Sequence, residues 1–345
     1  MKLAVVIPTH NRPDFLKETI NSFIEEGETS EFDLDIVIVD DGSTPPVDIF
    51  TLQKEFKREF IFHRNEKSAG LAYARNKGVQ LTNADIIIHL DDDDKLNNHA
   101  ITEINNFFID NPDIGVLLLG VKGFGSRKTH FENANKQGLN KILEMSPHQT
   151  TENNDIHFTS SLFPALLQTV PVCFQNYAVK KSTWNEITNL RLKSYFGDFD
   201  QAEIDQYTRL ITGPLRDSEW IIYASLITKI SLYHNPLYLV RCEGQGFVSK
   251  ISMRDKQVEA QINTKKQLFS ASKALASLKK YHKQIKESLE IIFFDNAYYQ
   301  LHTQRNKSQA RQFLLRAFVI NQRLKHCTFF IKLLLPLRLI KSIND

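Results

Sequence analysis

Four consecutive carboxylates, Asp91 to Asp94, offer the most chemistry in this sequence. They directly follow the apolar run from Ile86 to Leu90, which predicts a buried parallel strand. The acids would then lie at the carboxyl end of that strand, the edge where open α/β sheets bind ligands. Hard oxygen ligands at this edge suit Mg²⁺ or Mn²⁺ holding a diphosphate. The alternative is a solvated acidic turn, which is the common use of acidic runs in loops.

Two upstream segments end in polar clusters at the same predicted edge. The first apolar run, Leu3 to Ile7, leads into Thr9 and Arg12, which offer hydrogen-bond donors to a base or a phosphate. The second run, Ile36 to Val39, leads into Asp40, whose carboxylate can accept from the N–H of a base. Each cluster alone is also typical of an ordinary turn. Their shared position next to the four acids favours a common ligand site.

A third segment, Asn65 to Gly78, adds a glycine and an arginine at the start of a predicted helix. Gly70 lets the backbone approach a ligand closely. Arg75 can pair with a diphosphate in a way that no neutral side chain can. In isolation Arg75 would be read as a surface cation of a helix.

In this order and at these intervals, the four motifs resemble those of the family 2 glycosyltransferases with the GT-A fold. The resemblance is strong over residues 1–120 and looser over residues 170–250. It implies inverting transfer of a sugar from a nucleotide-sugar donor, commonly a UDP-sugar, with Mn²⁺ or Mg²⁺. The implied acceptor is a glycan or glycolipid in bacterial-type surface polysaccharide synthesis.

The same resemblance implies roles for individual residues. Asp91 and Asp93 match the two acids of the family's Asp-x-Asp motif, with Asp91 toward the ribose and Asp93 toward the metal. Asp92 and Asp94 occupy positions that shape the turn. The implied nucleotide-sugar-binding residues are Thr9, Arg12, Asp40, Arg75, Asp91 and, ranked lower, Asp92.

Inversion in one displacement requires a base for the acceptor hydroxyl. The family places an acidic pair at the start of a late helix, and the segment from Arg216 to Ile222 fits that position. Asp217 matches the family's catalytic acid best, and Glu219 ranks second. The two cannot share a helical face, so only one of them would point at the acceptor. Asp217 could instead serve as a helix cap. Arg216 departs from the family's usual Glu-Asp pair, and a neighbouring cation tends to lower the pKa of a carboxylate.

A second departure stands at the predicted final strand, Ile230 to Arg241. Many family members carry a His where this chain has Glu243. Glu243 can ligate a hard cation and is therefore a second metal-ligand candidate after Asp93. A carboxylate there would also repel the diphosphate, which leaves its role open.

The bulk composition is that of an ordinary folded protein, with 42% hydrophobic and 24% charged residues among 345. The three cysteines are far apart and have no metal-ligand spacing, which fits a reducing compartment. The sequence shows neither a signal-peptide core nor a run of about 20 apolar residues. These features predict a cytoplasmic protein.

Short apolar runs alternate with helical patterns over the first 90 residues, which predicts a mostly parallel α/β sheet of the GT-A type with flanking helices. Residues 120–210 are polar, and we expect irregular loops there. We expect a glycosyltransferase domain over residues 1–250, with nucleotide-sugar binding in 1–120 and the acceptor side in 121–250. Residues 251–345 are expected to form a basic, amphipathic helical appendage.

The end of the chain has an uneven charge pattern. From Arg305 to Asn344 there are nine Lys or Arg residues and no Asp or Glu, interleaved with apolar residues. Such a segment is typical of a helix on an anionic membrane surface, and equally of a helix packed on the catalytic domain. The first interpretation places the protein at the inner face of the plasma membrane through residues 305–345. Nucleic-acid binding is not favoured, because the basic region lacks aromatic platforms that are separate from its apolar stripe.

Two other functions compete with transfer. The departures at Arg216 and Glu243 suit a nucleotide-sugar-binding protein that lacks transfer activity. A nucleotidyltransferase also combines an α/β sheet with acidic metal ligands, but the first strand would then lead into a glycine-rich phosphate loop. This chain has Thr9 to Pro13 there, so the nucleotidyltransferase ranks last.

Overall fold

The structure, a computed structural model, describes residues 1–25, 33–211, 216–243 and 254–336. For a few residues inside helices, Arg216 and Asp217 among them, it describes the backbone and not the side chain. The chain divides into two compact units, Met1–Arg254 and Asp255–Asp345.

Within the described residues of the first unit, ten strands form one sheet. The spatial order is β3-β2-β1-β4-β9-β6-β10-β8-β7, with β5 paired to β10. In chain order the strands are β1 (Leu3–Thr9), β2 (Leu34–Asp40), β3 (Ile61–Arg64), β4 (Ile86–His89), β5 (Lys95–Leu96), β6 (Ile114–Phe124), β7 (His148–Thr150), β8 (Ile156–Phe158), β9 (Tyr177–Lys180) and β10 (Lys229–Arg241).

The half of the sheet formed by β3, β2, β1 and β4 is parallel. Strands β1 and β4 are completely buried and β2 nearly so, because helices cover both faces of this part of the sheet. Thr9 pairs in register with Asp40, and Val6 pairs with His89. The carboxyl ends of β1, β2 and β4 therefore meet at one edge, as predicted from the apolar runs.

The other half of the sheet is mixed, although parallel pairing predominates over the whole sheet. Strand β9 runs antiparallel to both β4 and β6. Strand β10 pairs in parallel with β6 and antiparallel with β5 and β8. The α/β class with flanking helices is confirmed, and β1, which leads into the first predicted motif, pairs in parallel with both β2 and β4.

The helices of the first unit cover the sheet and position its loops. Helix α1 begins at Pro13, which suits a first helical turn, and buries Leu16, Thr19 and Ile20. The helices are α1 (Pro13–Asn21), α2 (Ile49–Phe56), α3 (Leu71–Leu81), α4 (Ala100–Asp110), α5 (Lys128–Met145), α6 (Phe163–Leu166), α7 (Lys181–Phe196), α8 (Ile204–Leu210) and α9 (Arg216–Ile227).

The expectation of irregular loops over residues 120–210 was wrong. Helix α5 spans 18 residues, and Ile142 is its one buried residue, so the segment shows little apolar periodicity. Helix α7 buries polar groups, including Thr188, Arg191 and Ser194, alongside its apolar ones. Helices are predicted from apolar residues that recur along one face. Neither α5 nor α7 shows this pattern, because polar side chains occupy positions where the apolar face would lie.

The second unit is helical in its described part, with α10 (Arg254–Ala271), α11 (Ala276–Lys279), α12 (His282–His302), α13 (Lys307–Ile320) and α14 (Leu324–Leu334). Phe293 and Phe329 belong to its two apolar clusters. Helix α14 ends just before Pro336, which cannot continue a helix, and the basic residues Arg338 and Lys341 lie outside the described residues. Among the described residues, helices with the length and apolarity needed to cross a bilayer are absent.

Candidate functional site

The turn from Asp91 to Asp94 is fixed by two threonines. Thr9 Oγ1 donates to Asp92 Oδ2 at 2.7 Å, and Thr19 Oγ1 lies 2.9 Å from the Asp92 carbonyl oxygen and 2.7 Å from that of Asp94. Asp92 and Asp94 are buried. The Asp91 and Asp93 side chains keep 35% and 24% of their surface exposed, so these two acids face the open side.

Two of the predicted arginines reach the acids. Arg12 Nη1 lies 2.7 Å from Asp93 Oδ2 and 3.2 Å from Asp92 Oδ1. Arg75 Nη2 donates to Asp91 Oδ1 at 2.7 Å, and its guanidinium is 6% exposed. The structure thus brings together Thr9, Arg12 and Arg75 with the acidic turn. An arginine that neutralises a carboxylate here can turn toward a diphosphate once that carboxylate binds another cation.

A third arginine, Arg241 at the end of β10, was missed in the sequence. Its backbone N–H donates to Asp94 Oδ1 and its Nε donates to the Asp93 carbonyl oxygen, both at 2.7 Å. Its guanidinium also pairs with Glu18 and lies over the ring of Phe15. Arg241 therefore holds the acidic turn against helix α1. It comes from about 150 residues further along the chain, so local spacing gives no signal for it.

The electrostatics of the turn show a shortage of positive charge. Burial raises the pKa of Asp92 to about 6, despite the hydrogen bond from Thr9 and the charge of Arg12. Burial, and next the neighbouring Asp91 carboxylate, raise the pKa of Asp93, and the same two causes raise the pKa of Asp94 well above its usual range. A cation brought to this turn would be stabilised by the ionised carboxylates.

We expect Asp92→Asn to stabilise the fold at pH 7.5 by about 1–3 kcal/mol, since one pKa unit corresponds to about 1.4 kcal/mol. The pKa of Asp92 is higher in the folded state than in the unfolded state. Its contribution to the free energy of unfolding is therefore largest below pH 3.8 and is lost as the pH rises through about 6. The stabilisation should therefore shrink between pH 7.5 and pH 5. Urea unfolding at both pH values measures it. The exposed Asp110→Asn is the matched control, and an equal or smaller stability for Asp92→Asn at pH 7.5 would contradict the prediction.

The acidic turn is the place where a divalent ion would bind if this chain uses one as the enzymes that it resembles do. In the described part of the chain, sets of three His, Cys, Asp or Glu groups arranged to hold a metal are absent. Mg²⁺ and its analogues are commonly held by one or two carboxylates together with substrate phosphates. Asp93 and Asp91 are hard oxygen donors with exposed surface and a local excess of negative charge. The residues therefore fit an ion that is shared with a diphosphate.

Asp40 lies beneath the site and not on its surface. Its carboxylate is fully buried and accepts from the backbone N–H groups of Ser43 at 2.8 Å and Val47 at 3.1 Å. Arg64 Nε lies 3.8 Å away. Asp40 thus shapes the loop after β2, where Gly42 has a φ of +79° and a Cβ would meet the Ser68 backbone nitrogen at 2.7 Å. The structure does not present Asp40 to a ligand, contrary to the sequence-based expectation.

The neighbouring Asp41 ties that loop to the start of helix α3. It accepts from Asn65 Nδ2 and Ser68 Oγ at 2.7 Å, and from the backbone N–H groups of Ala69 at 2.8 Å and Gly70 at 2.9 Å. Burial raises the pKa of Asp41, but these four hydrogen bonds outweigh it and hold the pKa below its usual value. Asp41 was missed because adjacent carboxylates look alike in sequence.

A cavity of about 710 Å³ opens beside this loop, lined by residues 63–69, Tyr73 and Arg209. Ligand pockets are commonly of this size. Arg209 Nη2 donates to the Tyr73 hydroxyl at 2.9 Å, and its guanidinium lies 4.5 Å from the centre of the Tyr73 ring. The cavity therefore combines backbone polar groups, a histidine and a stacked arginine–tyrosine pair at the carboxyl end of β3.

The two candidate bases differ in their surroundings. Helix α9 begins at Arg216, so the backbone of Asp217 lies in its first turn, while the Asp217 side chain lies outside the described residues. Glu219 is fully buried and accepts from Arg191 Nε at 2.9 Å and Nη2 at 2.7 Å, and from the Tyr195 hydroxyl. A carboxylate in such an ion pair holds two helices together and is poorly placed to receive a proton.

The remaining candidate of the predicted site is Glu243, which follows the end of β10. Glu243 is exposed, lies against Gly125, and its carboxylate is 3.8 Å from Arg241 Nη1. Trp184 and Trp220 are buried and stacked on each other, so they belong to the core.

Comparison with known proteins gives a consistent result. Residues 4–170 match the family described as glycosyl transferase family 2. The poly(ribitol-phosphate) beta-glucosyltransferase of Bacillus spizizenii is 30% identical over 139 residues, which are 39% of this chain and 22% of that protein. The poly(ribitol-phosphate) beta-N-acetylglucosaminyltransferase TarP of Staphylococcus aureus is 27% identical over 197 residues, 52% of this chain and 60% of that protein. The chain thus spans between about a fifth and three fifths of these relatives.

Among solved structures, S. aureus TarS 1–349 in complex with UDP-GlcNAc superposes with a TM-score of 0.52 over 97% of this chain and 80% of that chain. At 16% sequence identity, this likeness shows the fold, which is GT-A. The family match covers the strands and loops that carry the acidic turn, Arg12 and Arg75. Residues 4–170, just under half of the chain, are therefore a match to glycosyl transferase family 2.

Proposed function

We propose that this chain is an inverting, metal-dependent glycosyltransferase that moves a sugar from a UDP-sugar to a glycan or glycolipid of a bacterial-type surface polysaccharide. The observation that carries the proposal is the acidic turn, where two partly exposed carboxylates, Asp91 and Asp93, lie within 2.7 Å of Arg75 and Arg12. Such alternation of anions and cations at the carboxyl edge of a parallel sheet suits a metal-bound diphosphate.

The donor nucleoside would occupy the cavity beside the loop after β2. The cavity offers the backbone of residues 65–69 and the Arg209–Tyr73 pair, which suit hydrogen bonding to a base and stacking on it. Asp41 positions these groups through its four hydrogen bonds. Thr9 and Arg12 lie between β2 and the acidic turn, and Asp91 would face the ribose.

The diphosphate would lie over the acidic turn. Asp93, with Asp91 beside it, would hold Mn²⁺ or Mg²⁺, which supplies positive charge to the leaving diphosphate. Arg12 would then exchange its contact with Asp93 for a phosphate oxygen, and Arg75 would stay between Asp91 and the phosphates. Glu243 is a second ligand candidate, because it is an exposed carboxylate 3.8 Å from Arg241 Nη1, and Arg241 also contacts the acidic turn.

The transfer would be a single displacement. The oxygen of the acceptor hydroxyl forms a bond with the anomeric carbon while the bond from that carbon to the diphosphate breaks, and the electron pair leaves with the diphosphate. Asp217 takes the hydroxyl proton. Attack from the face opposite to the leaving group inverts the anomeric centre. Helix α9 presents Asp217 in its first turn, while the buried Arg191–Glu219 pair fixes that turn against α7.

For the acceptor we infer a polyol-phosphate or lipid-linked glycan at the cytoplasmic face of the plasma membrane, where the protein would act from the cytoplasm. The support is that two relatives are named for transfer to poly(ribitol phosphate), together with the basic C-terminal unit. The acceptor side would be formed by residues 121–250, which carry helices α5 to α9.

The test is UDP release from a panel of UDP-sugars with Mn²⁺ and poly(ribitol phosphate) or lipid-linked acceptors. We expect one donor to be turned over with transfer of its sugar, and chelation with EDTA to stop it. Calorimetric binding of UDP-sugars without turnover by any acceptor would favour the binding protein, and release of pyrophosphate from a nucleoside triphosphate would favour the nucleotidyltransferase. The absence of affinity for UDP, with or without Mn²⁺, would overturn the proposal.

A further inference from the structure

Helix α14 has apolar residues on two sides. On the inner side, Phe329 is 4% exposed and packs into an apolar cluster of its own unit with Leu301 and Leu314. On the outer side, Leu324, Ile331 and Leu334 are 82%, 62% and 83% exposed. Their spacing of seven and three residues places them on one face of the helix. A folded helix rarely leaves three such side chains in water on one face.

The neighbouring helix α13, which shares an apolar cluster with α14, also has exposed apolar residues. Leu315 and Val319, one turn apart, are 46% and 80% exposed. Among the described residues, thirteen large apolar side chains are exposed, and five of them fall within this stretch of twenty residues. We name these five the tail surface: Leu315, Val319, Leu324, Ile331 and Leu334. Exposed apolar residues scattered singly need no explanation, but a concentration of this kind marks an interaction surface.

The charge of the second unit indicates what covers the tail surface. Residues 255–345 contain seventeen Lys and Arg against six Asp and Glu, a formal charge of +11. The whole chain carries +3, so residues 1–254 carry −8. Exposed Arg311 and Arg316 lie on the same helix as Leu315 and Val319. Two copies meeting through this surface would bring together units of strong like charge, whereas an anionic bilayer offers the opposite charge.

The dimensions also fit a bilayer surface. At 1.5 Å per residue, the eleven residues of α14 extend over about 16 Å, far short of the roughly 30 Å hydrocarbon core. A helix with exposed Leu and Ile along one face and basic residues nearby lies in the plane of the interface, with the apolar side chains below the headgroups and the charges among them. Binding would thus be peripheral.

We propose that the tail surface docks on an anionic phospholipid bilayer, with Leu324, Ile331 and Leu334 inserted below the headgroups and Arg311 and Arg316 among them. The docking itself is independent of the proposed transfer activity. If both hold, docking keeps the enzyme at the surface that carries lipid-linked acceptors. The membrane thereby serves as a partner that raises the local concentration of acceptor without contacting the reacting groups.

The experiment is sedimentation of the full chain with phosphatidylcholine vesicles, with and without about 30% phosphatidylglycerol, at low and high NaCl. We expect binding to the anionic vesicles that weakens at least tenfold with salt, because the Debye length falls from about 10 Å at 0.1 M to about 3 Å at 1 M. The triple variant Leu324→Ser, Ile331→Ser, Leu334→Ser should bind at least tenfold more weakly. Phe50→Ser is the matched control, since Phe50 is 81% exposed and belongs to the first unit.

A second pair of variants tests the charges. Arg311→Gln with Arg316→Gln should weaken binding to anionic vesicles severalfold, whereas Lys136→Gln with Lys141→Gln, on exposed positions of α5, should not. Calorimetric affinity for UDP and the thermal unfolding temperature should match wild type in every variant, which separates failure of docking from failure of the fold or of the nucleotide site. Unchanged vesicle binding by the triple variant overturns the proposal. The proposal is also overturned if vesicles bind neither protein and light scattering shows that the wild type self-associates whereas the triple variant does not.

Discussion

Asp93→Asn is expected to lower kcat/KM for sugar transfer by about two to three orders of magnitude, which corresponds to about 3–4 kcal/mol. Asp93 is one of two acids in the turn whose side chain keeps exposed surface, and its partner Arg12 is itself 38% exposed and able to move. The amide keeps the size of the side chain and an oxygen that can accept from Arg12. It loses the negative charge that a divalent ion requires.

The measurement combines UDP release with Mn²⁺ affinity in the presence of UDP, followed by electron paramagnetic resonance. The variant should bind the ion about tenfold or more weakly, in line with the usual cost of disturbing a metal site. Asp110→Asn, an exposed change at the end of α4, serves as the control and should behave as wild type. Full turnover by Asp93→Asn with unaltered Mn²⁺ dependence would remove Asp93 from the metal site.

The arrangement of the acidic turn with Thr9 and Arg12 was predictable because each lies directly after a continuous apolar run. Such runs form buried parallel strands, and right-handed connections bring their carboxyl ends to one edge. Predicting that β1, β2 and β4 are neighbours required nothing beyond the sequence of the first 90 residues. The structure brings Thr9 Oγ1 to 2.7 Å from Asp92 across 83 residues of chain.

The orientation of individual carboxylates was not predictable in the same way. Asp40 and Asp41 are adjacent, and both are buried. Asp40 accepts hydrogen bonds from the loop that follows β2 and Asp41 from the loop that follows β3, and these partners are in place only in the folded protein. Arg241 reaches the acidic turn through β10, which contributes a parallel partner to β6 from a distant part of the chain. Long-range partners of this kind depend on the sheet order, which periodicity does not contain.

The same limit explains the middle of the chain. Helices α5 and α7 are polar in sequence because one is largely solvated and the other buries paired groups, so neither presents an apolar stripe. The Arg191–Glu219 pair is the clearest case. In sequence Glu219 appears as one of two acids at a helix start, and its burial against Arg191 becomes apparent only when α7 and α9 are packed together.

Asp217→Asn is expected to lower kcat by about 10²–10⁴, the usual contribution of a general base, while leaving the affinity for the UDP-sugar unchanged. The acceptor hydroxyl needs a proton acceptor during the attack, and an amide cannot take the proton. Thermal unfolding should fall only slightly, because the loss of a negative charge in the first turn of α9 costs about 0.3–1 kcal/mol. Transfer assays with saturating donor, together with calorimetry for donor binding, measure the two effects separately.

Glu219→Gln should give the opposite pattern, which makes the pair of variants decisive. Removal of the Glu219 charge breaks a buried ion pair, which costs about 3–5 kcal/mol in the free energy of unfolding. We therefore expect a much lower unfolding temperature and, below that temperature, a modest loss of kcat. Glu186→Gln, an exposed change on α7, controls for the loss of a carboxylate. If Glu219→Gln unfolds like wild type but loses kcat as strongly as is expected for Asp217→Asn, the proton acceptor is Glu219, and the ion pair with Arg191 must open during catalysis.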